Sequence, residues 1–147
     1  MIKDCIFCKI IKGDIPSEKI YEDEHVYAFL DINPAAKGHT LVIPKNHSEN
    51  ITDIKKEDLK HTIFVVKKLA PKVMEAVSAD GFNIGMNNFP ASGQAVMHSH
   101  FHIIPRKKGD AIKLPVQGKY EKGEIEKVKK LIIQKLKNIK LTSSQLL

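Results

Sequence analysis

His98-Ser99-His100-Phe101-His102 places three imidazoles at alternate positions, and alternate residues of an extended strand share one face. The pattern predicts a β-strand with three histidines along one surface and Phe101 and Ile103 on the other. Pro105 followed by Arg106-Lys107-Lys108-Gly109 closes that strand as a turn. Histidine is the side chain best suited to proton transfer near neutrality. Along such a strand His98 and His102 lie about 13 Å apart at the backbone, too far to share one tetrahedral ion, whereas neighbours two apart could. The spacing thus points to a nucleophile flanked by orienting or proton-donating imidazoles. Three histidines, each satisfied by its own structural partner, are the plainer alternative.

Other strand signals are Val26-Tyr27-Ala28-Phe29-Leu30, Thr40-Leu41-Val42-Ile43 and Phe82-Asn83-Ile84-Gly85-Met86. Asn33-Pro34 and Lys37-Gly38 mark the turn between the first two. Leu59, Ile63, Val66, Ala70, Val73 and Val77 hold one helical stripe, with Pro71 expected to kink or break the helix. Grouped strands around one central helix predict an α+β fold with a mainly antiparallel sheet.

A chain of 147 residues can bury a proper core as one domain. The net charge of +7 would suit a nucleic-acid partner, but its distribution argues against specific nucleic-acid binding. Residues 106–140 hold 12 Lys and Arg against 4 Asp and Glu, so the excess belongs to the carboxy-terminal part. There Ile125, Val128, Ile132, Leu136 and Ile139 recur at helical spacing between lysines, predicting an amphipathic helix laid on a core. Its lysine face is either simply solvated or attractive to polyanions. No apolar run approaches the roughly 20 residues of a membrane span. The amino end lacks the apolar stretch of a secretory signal, so the expectation is a cytoplasmic protein.

Ser92-Gly93-Gln94-Ala95 precedes the histidine run, where glycine and exposed amides form either a plain loop or a cradle for an anion. Cys5-Ile6-Phe7-Cys8 is a Cys-x-x-Cys pair, readable as half a zinc site, a redox dithiol or two buried thiols. His47 and His98 are candidates by type for two further ligands, although spacing cannot choose among seven histidines.

His98 to Ile104 resembles the histidine triad motif, His-φ-His-φ-His-φ-φ, of the HIT superfamily. The similarity extends through Ile6-Phe7-Cys8-Lys9-Ile10-Ile11, Asp14-Ile15-Pro16, Ala28 to Pro34, Gly38 to His47, and Gly93-Gln94. Together these resemble the Hint branch, small homodimeric nucleotide-binding hydrolases and transferases. The resemblance leaves out only about the last thirty residues and implies a single HIT-like domain over residues 1–147, within which the charge and helical spacing above mark residues 106–141 as a basic, largely helical extension.

It further implies a mononucleotide pocket. Ile6, Phe7, Phe29 and Ile32 would sandwich a purine, Asp31 would accept from the ribose hydroxyls, and Asn87, Gly93, Gln94 and the Ala95 backbone would surround the phosphate. His100 matches the family nucleophile, His102 and His39 would orient it and stabilise charge, and His98 would lie toward the leaving group. Cys5, Cys8, His47 and His98 match the family's zinc ligands, tying an amino-terminal strand to the triad. That creates a tension, because an imidazole held by zinc cannot also donate a proton to a leaving group. Two departures stand out: Ser99 at a usually apolar position, and Ala95 where relatives often carry a serine hydroxyl. The expected activity is hydrolysis or transfer of purine nucleotidyl groups through a covalent histidine adduct. A dinucleoside polyphosphate hydrolase and a nucleotide-binding regulatory protein are the alternatives.

Overall fold

Residues 4–113, 118–136 and 139 are described in the computed structural model, and the chain divides into two compact units between Ile112 and Lys113. In the first unit α1 (Ile6–Lys12) leads into β1 (Lys19–Glu22), β2 (Val26–Leu30) and β3 (Thr40–Pro44). Then come α2 (Lys56–Ala76), β4 (Gly81–Gly85), a 3-10 turn (Pro90–Ser92) and β5 (Phe101–Arg106). The strands form one antiparallel sheet in the order β1-β2-β3-β5-β4, the α+β architecture that the sequence predicts.

The pleat sorts side chains onto two faces. On one, Val26, Ala28, Val42, Phe101 and Ile103 pack against Val65, Val66 and Ala70 of α2. On the other, Tyr27, Phe29, Leu41 and Ile43 pack against Phe7 and Ile10 of α1. Both faces being covered, β2 and β3 read as nearly continuous apolar runs. Leu41 stands directly opposite His102, which puts that imidazole on the α1 face. Gly38, just before β3, has φ +83, and a Cβ there would come within 2.8 Å of Val77 Cγ1. Glycine is therefore required where the turn brings His39 up to the sheet.

Several expectations need correction. The histidine strand begins only at Phe101, so His98 and His100 lie in the irregular segment before it. The amino-terminal element is a helix: Cys5 caps α1, accepting from the Cys8 amide at 3.5 Å, and Gly13 ends it in the left-handed conformation. α2 runs unbroken through Pro71, whose ring faces solvent, where the carbonyl deprived of a partner can meet water. Ile63 of the predicted stripe is exposed while Thr62 and Val65 are buried, so the packed face is rotated from the one expected. β1 was not anticipated; with charged ends and edge placement it lacks an apolar alternation.

Arg106, expected to open the basic extension, closes β5 instead. In the second unit α3 (Glu124–Leu136) carries the predicted Ile125, Val128, Ile132 and Leu136 stripe. None of its residues is buried. Residues 114–117, 137, 138, 140 and 141 of the expected extension lie outside the described residues. Among the described residues no helix is long and apolar enough to cross a membrane.

Asp23 clasps the β1–β2 turn to α2. One carboxylate oxygen accepts from the His25 and Val26 amides, the other from Tyr21 OH and His61 Nε2, all at 2.8 Å. Burial raises the Asp23 pKa, but the His61, Tyr21 and backbone donors outweigh it and hold the carboxyl well below its usual range. The depressed pKa makes this stabilisation complete above about pH 4 and lost as pH falls further. Asp23→Asn should destabilise the fold by about 1–3 kcal/mol at pH 7, with the gap to wild type closing below about pH 4 in urea unfolding. An equal gap at pH 3 and pH 7 would contradict the clasp.

Candidate active site

A neutral imidazole donates from one nitrogen and accepts at the other, so its partners reveal its tautomer. Burial pushes His39 and His100 down from the ordinary histidine range and His98 and His102 down to about 4, which keeps all four neutral near pH 7. The Ala35 amide donates to His39 Nδ1 at 3.1 Å, so the proton of His39 sits on Nε2. That nitrogen donates to His102 Nδ1 at 2.9 Å, which leaves the His102 proton on its own Nε2. His102 Nε2 is buried and has no partner among the described residues. Asp31 stands behind the relay, 3.5 Å from His39 Nδ1, and accepts from the Asn33 amide at 2.9 Å.

His100 has the opposite tautomer. Its Nδ1–H donates to the His98 carbonyl at 2.6 Å, leaving Nε2 with a bare lone pair. The ring is 5% exposed and stands 4.9 Å from that of His102. One buried site thus combines a nucleophilic nitrogen with an uncommitted N–H donor.

Both rings line a cavity of about 400 Å³. Ile6, Phe7, Phe29 and Ile32 supply its predicted apolar wall, and Asp31, Asn87, Gly93 and Ala95 its predicted polar part. Phe7 and Phe29 meet edge to face at 5.5 Å. The walls also include Ile10, Ile15, Pro16, Ser17, Asn33, Leu41 and Val96, which sequence reasoning did not assign. Leu41 could have been found from strand alternation; Ile10 lies on a helix too short for periodicity to register, and Ser17, paired with Tyr27 OH at 2.9 Å, carries no local signal. His39 supports His102 from behind and is not among the lining residues.

Gln94 is a correction. Its buried side chain faces away from the cavity, accepting from the Phe89 amide at 2.7 Å and donating to the Glu49 and Val96 carbonyls at 2.5 and 3.0 Å. It ties the loop carrying Asn87, Gly93 and Ala95 to the segment after β3. Phe89 itself is held at φ 68, ψ 155, a conformation almost confined to glycine.

A second cluster lies beside the cavity. Cys5 and Cys8 at the start of α1, His47 after β3 and His98 before β5 turn one donor atom each toward a common point, all within 4.8 Å of one another. Cys5 Sγ and Cys8 Sγ lie 3.4 and 3.6 Å from His98 Nδ1, Cys8 Sγ lies 3.4 Å from His47 Nδ1, and the two Nδ1 atoms are 3.3 Å apart. Bonds of about 2.3 Å to sulfur and 2.0 Å to nitrogen around a tetrahedral ion give edges of about 3.3–3.8 Å, so these distances fit. The Pro44 carbonyl accepts from His98 Nε2–H at 2.9 Å, leaving Nδ1 unprotonated toward the cluster. Asp31, His39 and His102 also converge, but the 2.9 Å hydrogen bond between the two imidazoles is shorter than such an edge. The His98 side chain is directed into the cysteine cluster and does not line the cavity.

If Gln94 acts through the loop, Gln94→Ala should lower stability by about 1–3 kcal/mol in urea unfolding, because the Phe89 amide and the Glu49 and Val96 carbonyls lose a shared partner. Unchanged stability with weakened nucleotide binding would instead indicate direct phosphate contact.

Residues 12–109 match the HIT domain family model. The chain is 55% identical over 106 residues to an uncharacterized HIT-like protein of Methanocaldococcus jannaschii, covering 72% of this chain and 81% of that one. It is 47% identical over 103 residues to the Saccharomyces cerevisiae adenosine 5'-monophosphoramidase HNT1, covering 70% and 63% of the two chains. Among solved structures, a Zn-bound histidine triad family protein from Mycobacterium smegmatis superposes with a TM-score of 0.72 at 36% identity, covering 89% of this chain and 97% of that one. The chain belongs to the HIT domain family.

Proposed function

We propose that this protein hydrolyses or transfers purine nucleotidyl groups, with His100 Nε2 as the nucleophile at the α-phosphorus. The observation that carries this reading is the pair of opposite tautomers, a bare His100 Nε2 and an uncommitted His102 Nε2–H, on one cavity wall. His100 forms an N–P bond as the bond from phosphorus to the leaving group breaks, and water then displaces the nucleotide and frees His100. His102 Nε2–H, already positioned, donates to a phosphoryl oxygen as charge develops there. The apolar wall of Ile6, Phe7, Phe29 and Ile32 receives the base, and Asp31 accepts from the ribose. The yeast relative's name supports a phosphoramidate as the substrate class.

Zinc fits the Cys5, Cys8, His47 and His98 cluster, with four protein ligands and a fixed His98 tautomer, and a Zn-bound relative shares the fold. Held by four protein side chains, a zinc ion there would act as a structural cross-link of α1, the segment after β3 and the triad. Because His98 belongs to that cluster, protonation of the leaving group falls to His102 or water. We read the protein as a cytoplasmic homodimer; exposed Phe82 and Ile84 on edge strand β4 offer an apolar edge for a second copy, and the unbridged cysteines suit a reducing compartment.

His100→Ala should retain AMP binding within about threefold and lose at least about 10³ in turnover of adenosine 5'-phosphoramidate, since the covalent route is removed. Rapid quenching of wild type should trap an acid-labile nucleotidyl adduct on His100 by mass spectrometry. Near wild-type turnover in the variant would overturn the nucleophile assignment. Elemental analysis should find about one zinc per chain, falling by at least about fivefold in Cys8→Ser. Zinc content unaffected by that substitution would place the metal elsewhere.

A further inference from the structure

We propose that Ser48 and Ser99 are positioning residues for the Cys5, Cys8, His47 and His98 cluster. Their buried hydroxyl pair holds the two histidines, which come from separate stretches of chain, at ligand spacing before any metal enters. This role rests on the reading of the cluster as a zinc site.

Each serine directly follows a histidine of the cluster, so the contacts of His47 with His98 and of Ser48 with Ser99 run in step. Ser48 Oγ–H donates to Ser99 Oγ at 2.8 Å, and the Ser99 amide donates to the Ser48 carbonyl at 2.6 Å. The two serines are 5% and 0% exposed. Ser99 is polar where the triad pattern carries an apolar residue, and its hydroxyl finds its partner in Ser48. An apolar pair would fill the same space. Two directional bonds between the same two residues also fix their separation and register.

The histidines need such a clamp unequally. A metal-ligating imidazole is ordinarily oriented through its other nitrogen. His98 has that support from the Pro44 carbonyl, whereas His47 Nε2 is buried with no partner among the described residues. The placement of the His47 ring therefore depends on its main chain. Asn46 Nδ2 donates to Asp58 and the Glu49 amide to Asp53, which ties this stretch to its own side of the molecule, toward α2. Across to the stretch before β5 run the Gln94 bond to the Glu49 carbonyl and the serine clamp, and the clamp is the one adjacent to both ligands. As ligands, both histidines must present lone pairs on Nδ1 atoms 3.3 Å apart, an arrangement that repels until a cation lies between them. A clamp one residue from each offsets that repulsion in advance, so the ordering is completed on folding and not at metal binding.

The experiment measures zinc dissociation constants by chelator competition for wild type, Ser48→Ala, Ser99→Ala, the double alanine variant and Ser48→Thr, with urea unfolding of each metal-free chain alongside. Each single alanine variant should bind zinc at least about tenfold more weakly than wild type. The double variant should lie within about threefold of the singles, because the same bond is lost once, and Ser48→Thr, which keeps the hydroxyl, within about threefold of wild type. Alanine variants that lose stability yet bind zinc within about twofold of wild type would show that the hydroxyls serve the fold alone, and overturn the proposal. Wild type decides the matter if the variants fail to fold: exchange of the Ser99 amide hydrogen in chelator-stripped protein should stay within about tenfold of that in zinc-loaded protein. Free exchange of that amide after stripping would mean that the ion holds the two stretches together, and the clamp would be refuted. Zinc bound no more tightly by wild type than by Cys8→Ser overturns the zinc reading and the clamp's role with it.

Discussion

A single hydrogen bond to one ring nitrogen fixes the tautomer of a neutral imidazole, and the main chain supplies that bond to three of the four histidines around this site. The Ala35 amide sets His39, the Pro44 carbonyl sets His98 and the His98 carbonyl sets His100. These backbone groups lie in the turn before β3, at its last residue and in the segment before β5. Which nitrogen is nucleophilic and which N–H is available thus follow from how the chain approaches the central strands. His102 takes its tautomer second-hand, through His39.

The sheet makes this possible by placing β5 beside β3, with His102 opposite Leu41 and Ile103 opposite Thr40. The α2 core behind Phe101 and Ile103 fixes the strand, while the α1 core in front brings Phe7 to 5.4 Å from His100 and 5.8 Å from His98. α1 therefore serves both neighbouring sites: Cys5 at its cap and Cys8 in its first turn reach the Cys/His cluster, and its buried face walls the cavity.

Much of this was legible in the sequence, for identifiable reasons. β2 and β3 are dense in β-branched and aromatic residues, so their existence and pairing follow from local preference. The residues assigned to the cavity from the family resemblance do gather there, apart from Gln94 and two histidines set back from it, His39 and His98. What local pattern could not show was the break before β5. Alternation of His98, His100 and His102 satisfies a strand template, yet the Ser99 amide bonds to Ser48 and the His98 carbonyl to an imidazole, contacts made by residues far apart or by side chains. α1 was missed because its seven residues are too short for helical periodicity to register, and its stability comes from Cys5, Gly13 and packing. Gln94 shows the same limit from the other side: a polar residue beside glycine looks like a ligand contact until its three partners are seen.

The account rests on opposite tautomers at neighbouring histidines, and long-range ¹H–¹⁵N correlation of the imidazoles in zinc-loaded protein at neutral pH tests it most directly. The prediction is that His100 carries its proton on Nδ1, while His39, His98 and His102 carry theirs on Nε2. A proton on Nε2 of His100, or on Nδ1 of His102, would contradict it.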